Sequence, residues 1–130
     1  MRIINKTNIK HAKRIIRFFA SGIDTPDLEV TLAFPDIDTN SDDKTKGTFL
    51  PTRPPKIRIY PHKEFPLTYR LYNGNRISIE NIHVYIAFVF LHELYHYAIH
   101  QKGLPYAKQK EEELADTYAC KTLQKLGIKI

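Results

Sequence analysis

The sequence predicts an α+β fold, and three observations predict it. A helical pattern stands near the N-terminus, short alternating runs fill the middle, and two long helical runs close the chain. The length of 130 residues suits one domain, 1–130, around one modest core. Hydrophobic residues at 42% and charged residues at 26% are the balance of a globular chain, which argues against a disordered or fibrous class.

The elements follow in order. Residues 7–21, "TNIKHAKRIIRFFAS", predict an amphipathic helix in which Thr7 or Asn8 is the cap and Ile9, Ala12, Ile16 and Phe19 share a face. "LEVTLAF", 28–34, alternates and predicts a half-buried strand with Leu28, Val30, Leu32 and Phe34 inward, stopped by Pro35. Residues 35–44 form an acidic, turn-rich loop, and 46–51, "KGTFLP", suit a short strand. "PPKIRIYP", 54–61, sets Ile57 and Ile59 on one face between prolines, which predicts a short edge strand. Residues 61–75 read as irregular with an N-G-N turn, and 76–80, "RISIE", as a strand or the lead-in to a helix. A helix over about 80–101 is apolar nearly all round and so belongs in the middle of the core. Gly103 and Pro105 break it, and a last helix over about 107–126 ends at Gly127.

Charge and cysteine usage bound the setting. The net charge is +6, and Arg2, Lys6, Lys10, Lys13, Arg14 and Arg17 all precede the first acid, Asp24, leaving the rest balanced. Residues 2–17 are therefore a candidate nucleic-acid or membrane-surface contact, although a solvated helix face has the same signature and no aromatics interleave as a stacking platform. Cys120 is the lone cysteine, so no intramolecular disulfide forms, and it reads as a small buried residue. The longest apolar run, Val84–Leu91, is short for a membrane span, and "MRIINKTNIK" lacks the apolar core of a signal peptide. The expectation is a cytoplasmic protein.

The chemistry concentrates in "HELYHYAIH", 92–100. His92 and His96 stand four apart, one above the other on a helix face, where two imidazoles can grip one Zn²⁺. Glu93 sits beside the first ligand without being one, placed to act as general base on a metal-activated water. A catalytic zinc needs a third protein ligand, and "KEEELADTYA", 110–119, offers carboxylates on the next helix. Taking Ala115, Ala119, Thr122 and Leu126 as the inward stripe, Glu113 points to solvent while Glu111 and Glu112 flank the stripe. Asp116 lies about 40° from Glu112 and one turn along, so Glu112 is the expected ligand. Asp116 is expected to orient a ligating histidine through its outer nitrogen. Candidate oxyanion or substrate contacts are Tyr106, Tyr118 and His100. His100, a turn beyond His96, suits a supporting role better than direct ligation.

"HELYH" followed by "EELAD" resembles the gluzincin zinc metallopeptidases, among them the CAAX-processing and HtpX-type peptidases, and by size the soluble minigluzincins. "HELYHYAIH" also resembles ImmA/IrrE-like peptidases, with Tyr95 where H-E-L-G-H has glycine and Asp116 where that family's glutamate motif ends in asparagine. The resemblance spans residues 76–119. It implies a small zincin-like domain: an N-terminal helix, a small, mostly antiparallel sheet, the H-E-x-x-H helix and a C-terminal glutamate helix. It implies one zinc per chain on His92, His96 and Glu112, with Glu93 as general base and acid. It also implies an edge strand that pairs with an extended peptide, for which Thr48–Leu50 and Ile57–Tyr60 are the candidates.

The expected function is a zinc metalloendopeptidase acting on a peptide or protein substrate. The alternative is a regulatory or DNA-associated zincin-fold protein that binds through its basic N-terminal helix with little turnover. A structural zinc site without turnover is a third reading, and the presence of Glu93 argues against it.

Overall fold

A computed structural model describes residues 1–34, 46–104 and 107–130. The acidic loop expected over 35–44 and the candidate Tyr106 lie outside the described residues. The chain forms β1 (Arg2–Asn5), α1 (Ala12–Ala20), β2 (Glu29–Leu32), β3 (Gly47–Leu50), β4 (Lys56–Ile59), β5 (Leu67–Arg70), β6 (Arg76–Ile79), α2 (Ile82–Lys102) and α3 (Lys108–Lys125). This is an α+β architecture with a four-stranded sheet, ordered β1-β2-β4-β3, and a separate β5-β6 hairpin.

The expectation of a mostly antiparallel sheet is corrected. β1 and β4 both run parallel to β2, and only β3 runs antiparallel to its neighbour β4. The parallel pairing arises because α1 carries the chain from β1 back to the start of β2, as a crossover helix does. β4 is likewise not an edge strand. It bonds to β2 on one side and β3 on the other, with Ile57 and Ile59 fully buried. Its prolines flank the paired residues Lys56–Ile59 and leave the ladder intact. β3 holds the edge.

Two strands have weak sequence signals. β1 is four residues long and sets Ile3 beside Ile4, which breaks alternation. β5 lies in the segment read as irregular, yet Leu67 and Tyr69 alternate there and pair with β6 in register. The first helix starts at Ala12, later than Thr7. The Asn5 side chain accepts from the Thr7 amide and the Thr7 hydroxyl accepts from the Ile9 amide, so these polar side chains fold local turns instead of capping a helix. His11, with φ 68°, then separates those turns from α1.

α2 is the centre of the molecule. Asn81 caps it by accepting from the Val84 amide at 3.0 Å. Gly103 ends it in a left-handed turn, φ 64°, and the Leu104 amide reaches back to the Ile99 carbonyl. By length and composition α2 is apolar enough to cross a membrane, and 72% of its apolar window is buried inside the protein. It packs against α1, β3, β4, β6 and α3. On α3 the buried residues are Ala115, Asp116, Ala119 and Leu123, whereas Thr122 is half-buried and Leu126 exposed. The inward stripe is thus turned toward Asp116 from the expected Thr122–Leu126 line. Phe34, expected inward, is exposed because β2 ends at Leu32.

β3 lies against α2 at Gly47. A Cβ there would meet Val89 Cγ1 at 2.5 Å, the Arg58 carbonyl oxygen at 3.2 Å and Glu93 Cγ at 3.3 Å. The first contact can yield by side-chain movement, but the backbone oxygen cannot. Gly47→Ala is expected to lower stability by about 1–3 kcal/mol, the usual range for overpacking. Urea unfolding would check it, and an unchanged midpoint would show that strand and helix separate freely.

Candidate metal centre

α2 presents His92, Glu93 and His96 on adjoining faces, and all three are buried. α3 runs beside α2 and brings Glu111, Glu112 and Asp116 against them. His92 Nε2 stands 2.9 Å from Glu112 Oε2, and His96 Nε2 stands 3.0 Å from Glu112 Oε1. The two Nε2 atoms are 3.3 Å apart. His92, His96 and Glu112 thus form a cluster whose ligand atoms lie within 4.8 Å of one another and could hold a metal ion. Zinc bound tetrahedrally at about 2.0–2.1 Å spaces its ligand atoms by roughly 3.3–3.4 Å, close to these distances.

The outer nitrogens have their own partners. His92 Nδ1 donates to Asp116 Oδ1 at 2.8 Å, and His96 Nδ1 donates to the Glu111 carboxylate. A proton held on each Nδ1 fixes the tautomer that leaves the Nε2 lone pair available to a metal. Asp116 is fixed in turn, because its Oδ2 accepts from the Tyr72 amide at 2.8 Å. Every buried side-chain nitrogen and oxygen among the described residues has a hydrogen-bond partner.

Electrostatics follow from the crowding of carboxylates. Burial alone would lower the His92 imidazole. Hydrogen bonds to Asp116 and Glu112, with the nearby Glu93 charge, outweigh it and raise the pKa to about 10. The same opposition raises His96, through Glu112 and Glu111. Burial would raise Glu112, but hydrogen bonds from both histidines hold it well below the usual carboxylate range. Glu93 lies 3.9 Å from His92 Nε2 and is 6% exposed. Its burial raises it to about 6 against the pull of both histidines.

The histidine shifts predict a proton count. With a pKa of about 10, His92 is charged at pH 7, and coordination needs its Nε2 unprotonated. Zinc binding at pH 7 is expected to release about one to two protons, so that apparent affinity rises with pH. Calorimetry in two buffers of different ionisation enthalpy reads the number, and a value of zero would refute the protonation assigned here.

A cleft of about 750 Å³ opens over the cluster, between β3 and the start of α3. Gly47, Thr48 and Phe49 line one side, and Tyr72 and Glu111 line another. The structure brings together His92, Glu93, His96, Glu112 and Asp116. His100 lies on the cleft wall against Phe49, with ring centroids 5.7 Å apart, a turn beyond His96. Tyr118 is not among the residues lining the cleft. Two positions past Asp116, it points to another side of α3 and packs on Tyr95, 5.8 Å between centroids. Cys120 is half-buried, and burial pushes its thiol up to about 11, which keeps it protonated.

Two residues at the site escaped the sequence reading. Glu111 flanks the stripe but is given no role in the sequence reading, and its carboxylate holds His96 Nδ1. Two imidazoles on one helix present their outer nitrogens to different carboxylates, His92 to Asp116 and His96 to Glu111. Tyr72 arrives from the hairpin, and its ring stacks on His92 with planes 23° apart. The N-G-N signal marks that turn but not what the turn docks on. Comparison with protein-family models, with curated proteins and with solved structures finds no match.

Proposed function

We propose that the protein is a zinc-dependent metallopeptidase of gluzincin type, acting on peptides or a protein. One observation carries this reading. Each histidine keeps a carboxylate on its Nδ1 while both Nε2 atoms converge on Glu112, next to a buried carboxyl that is not part of the cluster. A purely structural site has no use for that extra group. Glu93 has the position of a general base and, at about 6, a pKa near the working range.

His92, His96 and Glu112 would hold the ion, which when bound supplies Lewis-acid activation of water and of the scissile carbonyl. Glu93 takes a proton from the attacking water and delivers it to the leaving amine. Asp116 and Glu111 keep the imidazoles aimed. β3, the sheet edge on the cleft wall, offers main-chain groups to an extended peptide. The test is digestion of a peptide library by the zinc-loaded protein. Cleavage should stop with chelator and return with Zn²⁺. Absence of cleavage throughout would overturn the reading.

A second reading, nucleic-acid binding with little turnover, draws on the N-terminal bases. Arg2, Lys6, Lys10, Lys13, Arg14 and Arg17 are all exposed. Salt-dependent DNA binding that is lost on their replacement would favour it.

A further inference from the structure

We propose that Tyr72 is a catalytic residue of this site, its hydroxyl donating a hydrogen bond to the substrate carbonyl oxygen as that oxygen becomes negative. The assignment rests on the peptidase reading above. Tyr72 lies two residues past the end of β5, in the turn of the hairpin, and its backbone is anchored twice to α3. Its amide donates to Asp116 Oδ2 at 2.8 Å, and its carbonyl accepts from Gln109 Nε2 at 3.1 Å. Both anchors belong to the helix that carries Glu112, so the residue is fixed relative to that carboxylate. The ring lies nearly parallel to His92, with centroids 6.1 Å apart, and is 50% exposed on the cleft wall. The ring face therefore covers His92, and the hydroxyl hydrogen-bonds the Glu112 carboxylate, which sets the polar end beside the cluster on the cleft wall.

A tyrosine hydroxyl keeps its proton at neutral pH and can donate it in a hydrogen bond. Other polar groups on the cleft wall are placed less well. Tyr69 is 9% exposed, with its ring against Phe88 and beneath the Lys46 ammonium. His100 faces Phe49, a turn of α2 farther on. A fixed donor beside the reacting carbon favours the transition state because it needs no reorientation as charge develops.

The experiment compares zinc-loaded wild type with Tyr72→Phe, which keeps the ring, the stack and both backbone anchors. One arm uses a peptide that the wild type cleaves. The other measures binding of an N-phosphoryl-leucyl dipeptide, whose tetrahedral, charged phosphoryl group mimics the transition state. The expected result is a fall in kcat on the order of 10²-fold with KM within about threefold. Phosphoryl-dipeptide affinity should fall at least about tenfold. Zinc content and the visible spectrum of the Co²⁺ form should not change. Unchanged kcat and unchanged dipeptide affinity would overturn the assignment. So would loss of zinc or an altered Co²⁺ spectrum, which would make Tyr72 only a support for the ligands. If wild type shows no Glu93-dependent cleavage, the peptidase reading falls and this assignment with it. If wild type cleaves and Tyr72→Phe cleaves equally, Tyr72 alone is wrongly assigned.

Discussion

Glu112→Gln should abolish tight zinc binding, while Glu113→Gln should leave it unchanged. Glu112 is the residue whose two oxygens reach both histidine Nε2 atoms, at 2.9 and 3.0 Å. An amide of the same shape loses the charge and puts a donor where a ligand oxygen belongs. The histidines lose their shared counter-charge as well, so their pKa values should fall. Glu113 contacts the Gln109 amide on the outer side of the helix and touches neither imidazole. Glu111→Gln should fall between the two. It weakens the orientation of His96 without removing a ligand, a change that typically costs about 10–100-fold in metal affinity. Competition titration with a chromogenic chelator ranks the three. Equal affinities for Glu111→Gln and Glu112→Gln would sink the ligand assignment.

Glu93→Gln should keep the zinc and the fold but lose hydrolysis, by on the order of 10²–10⁴ in kcat. Glutamine fills the same volume against β3, where Glu93 Cγ lies 3.3 Å from the position of a Cβ at Gly47, so packing is conserved. Only the proton-accepting charge disappears. The variant should also remove the acidic limb of the pH–rate profile, which in the wild type reports a group raised by burial to about 6. Since zinc would itself shift that group downward, the limb should lie below 6 in the loaded enzyme. Unchanged turnover would leave the chemistry without a base and reject the peptidase mechanism.

The grouping of His92, His96 and Glu112 was legible because helices make local spacing into geometry. His92, His96, Glu112 and Asp116 fall on facing sides of α2 and α3 by arithmetic of about 100° per residue. Helix ends were legible where one side chain decides them, as at Asn81 and Gly103. Sheet topology was not, because β1 is a four-residue strand without clean alternation whose partner lies 27 residues on, and β5 is equally short within a turn-rich segment. Parallel pairing of β1, β2 and β4 depends on crossovers, and no local pattern encodes it. Tyr72 was invisible for the same reason: its bond to Asp116 joins residues 44 apart. Glu111 shows a different limit. Its position was known, but its role follows from which flank of His96 faces α3.

The three carboxylates that meet the histidines, Glu111, Glu112 and Asp116, sit on one rigid helix, and this has a consequence for how the chain tolerates insertions and deletions. A residue added ahead of Lys108 leaves Glu111, Glu112 and Asp116 in the same phase relative to one another. A residue added between Glu112 and Asp116 turns one carboxylate by about 100° against the others. His92 would then keep a partner on one nitrogen and lose it on the other. Length variation among descendants of this sequence should therefore collect before α3 and be purged within it, even where each substituted side chain on that helix is individually tolerated.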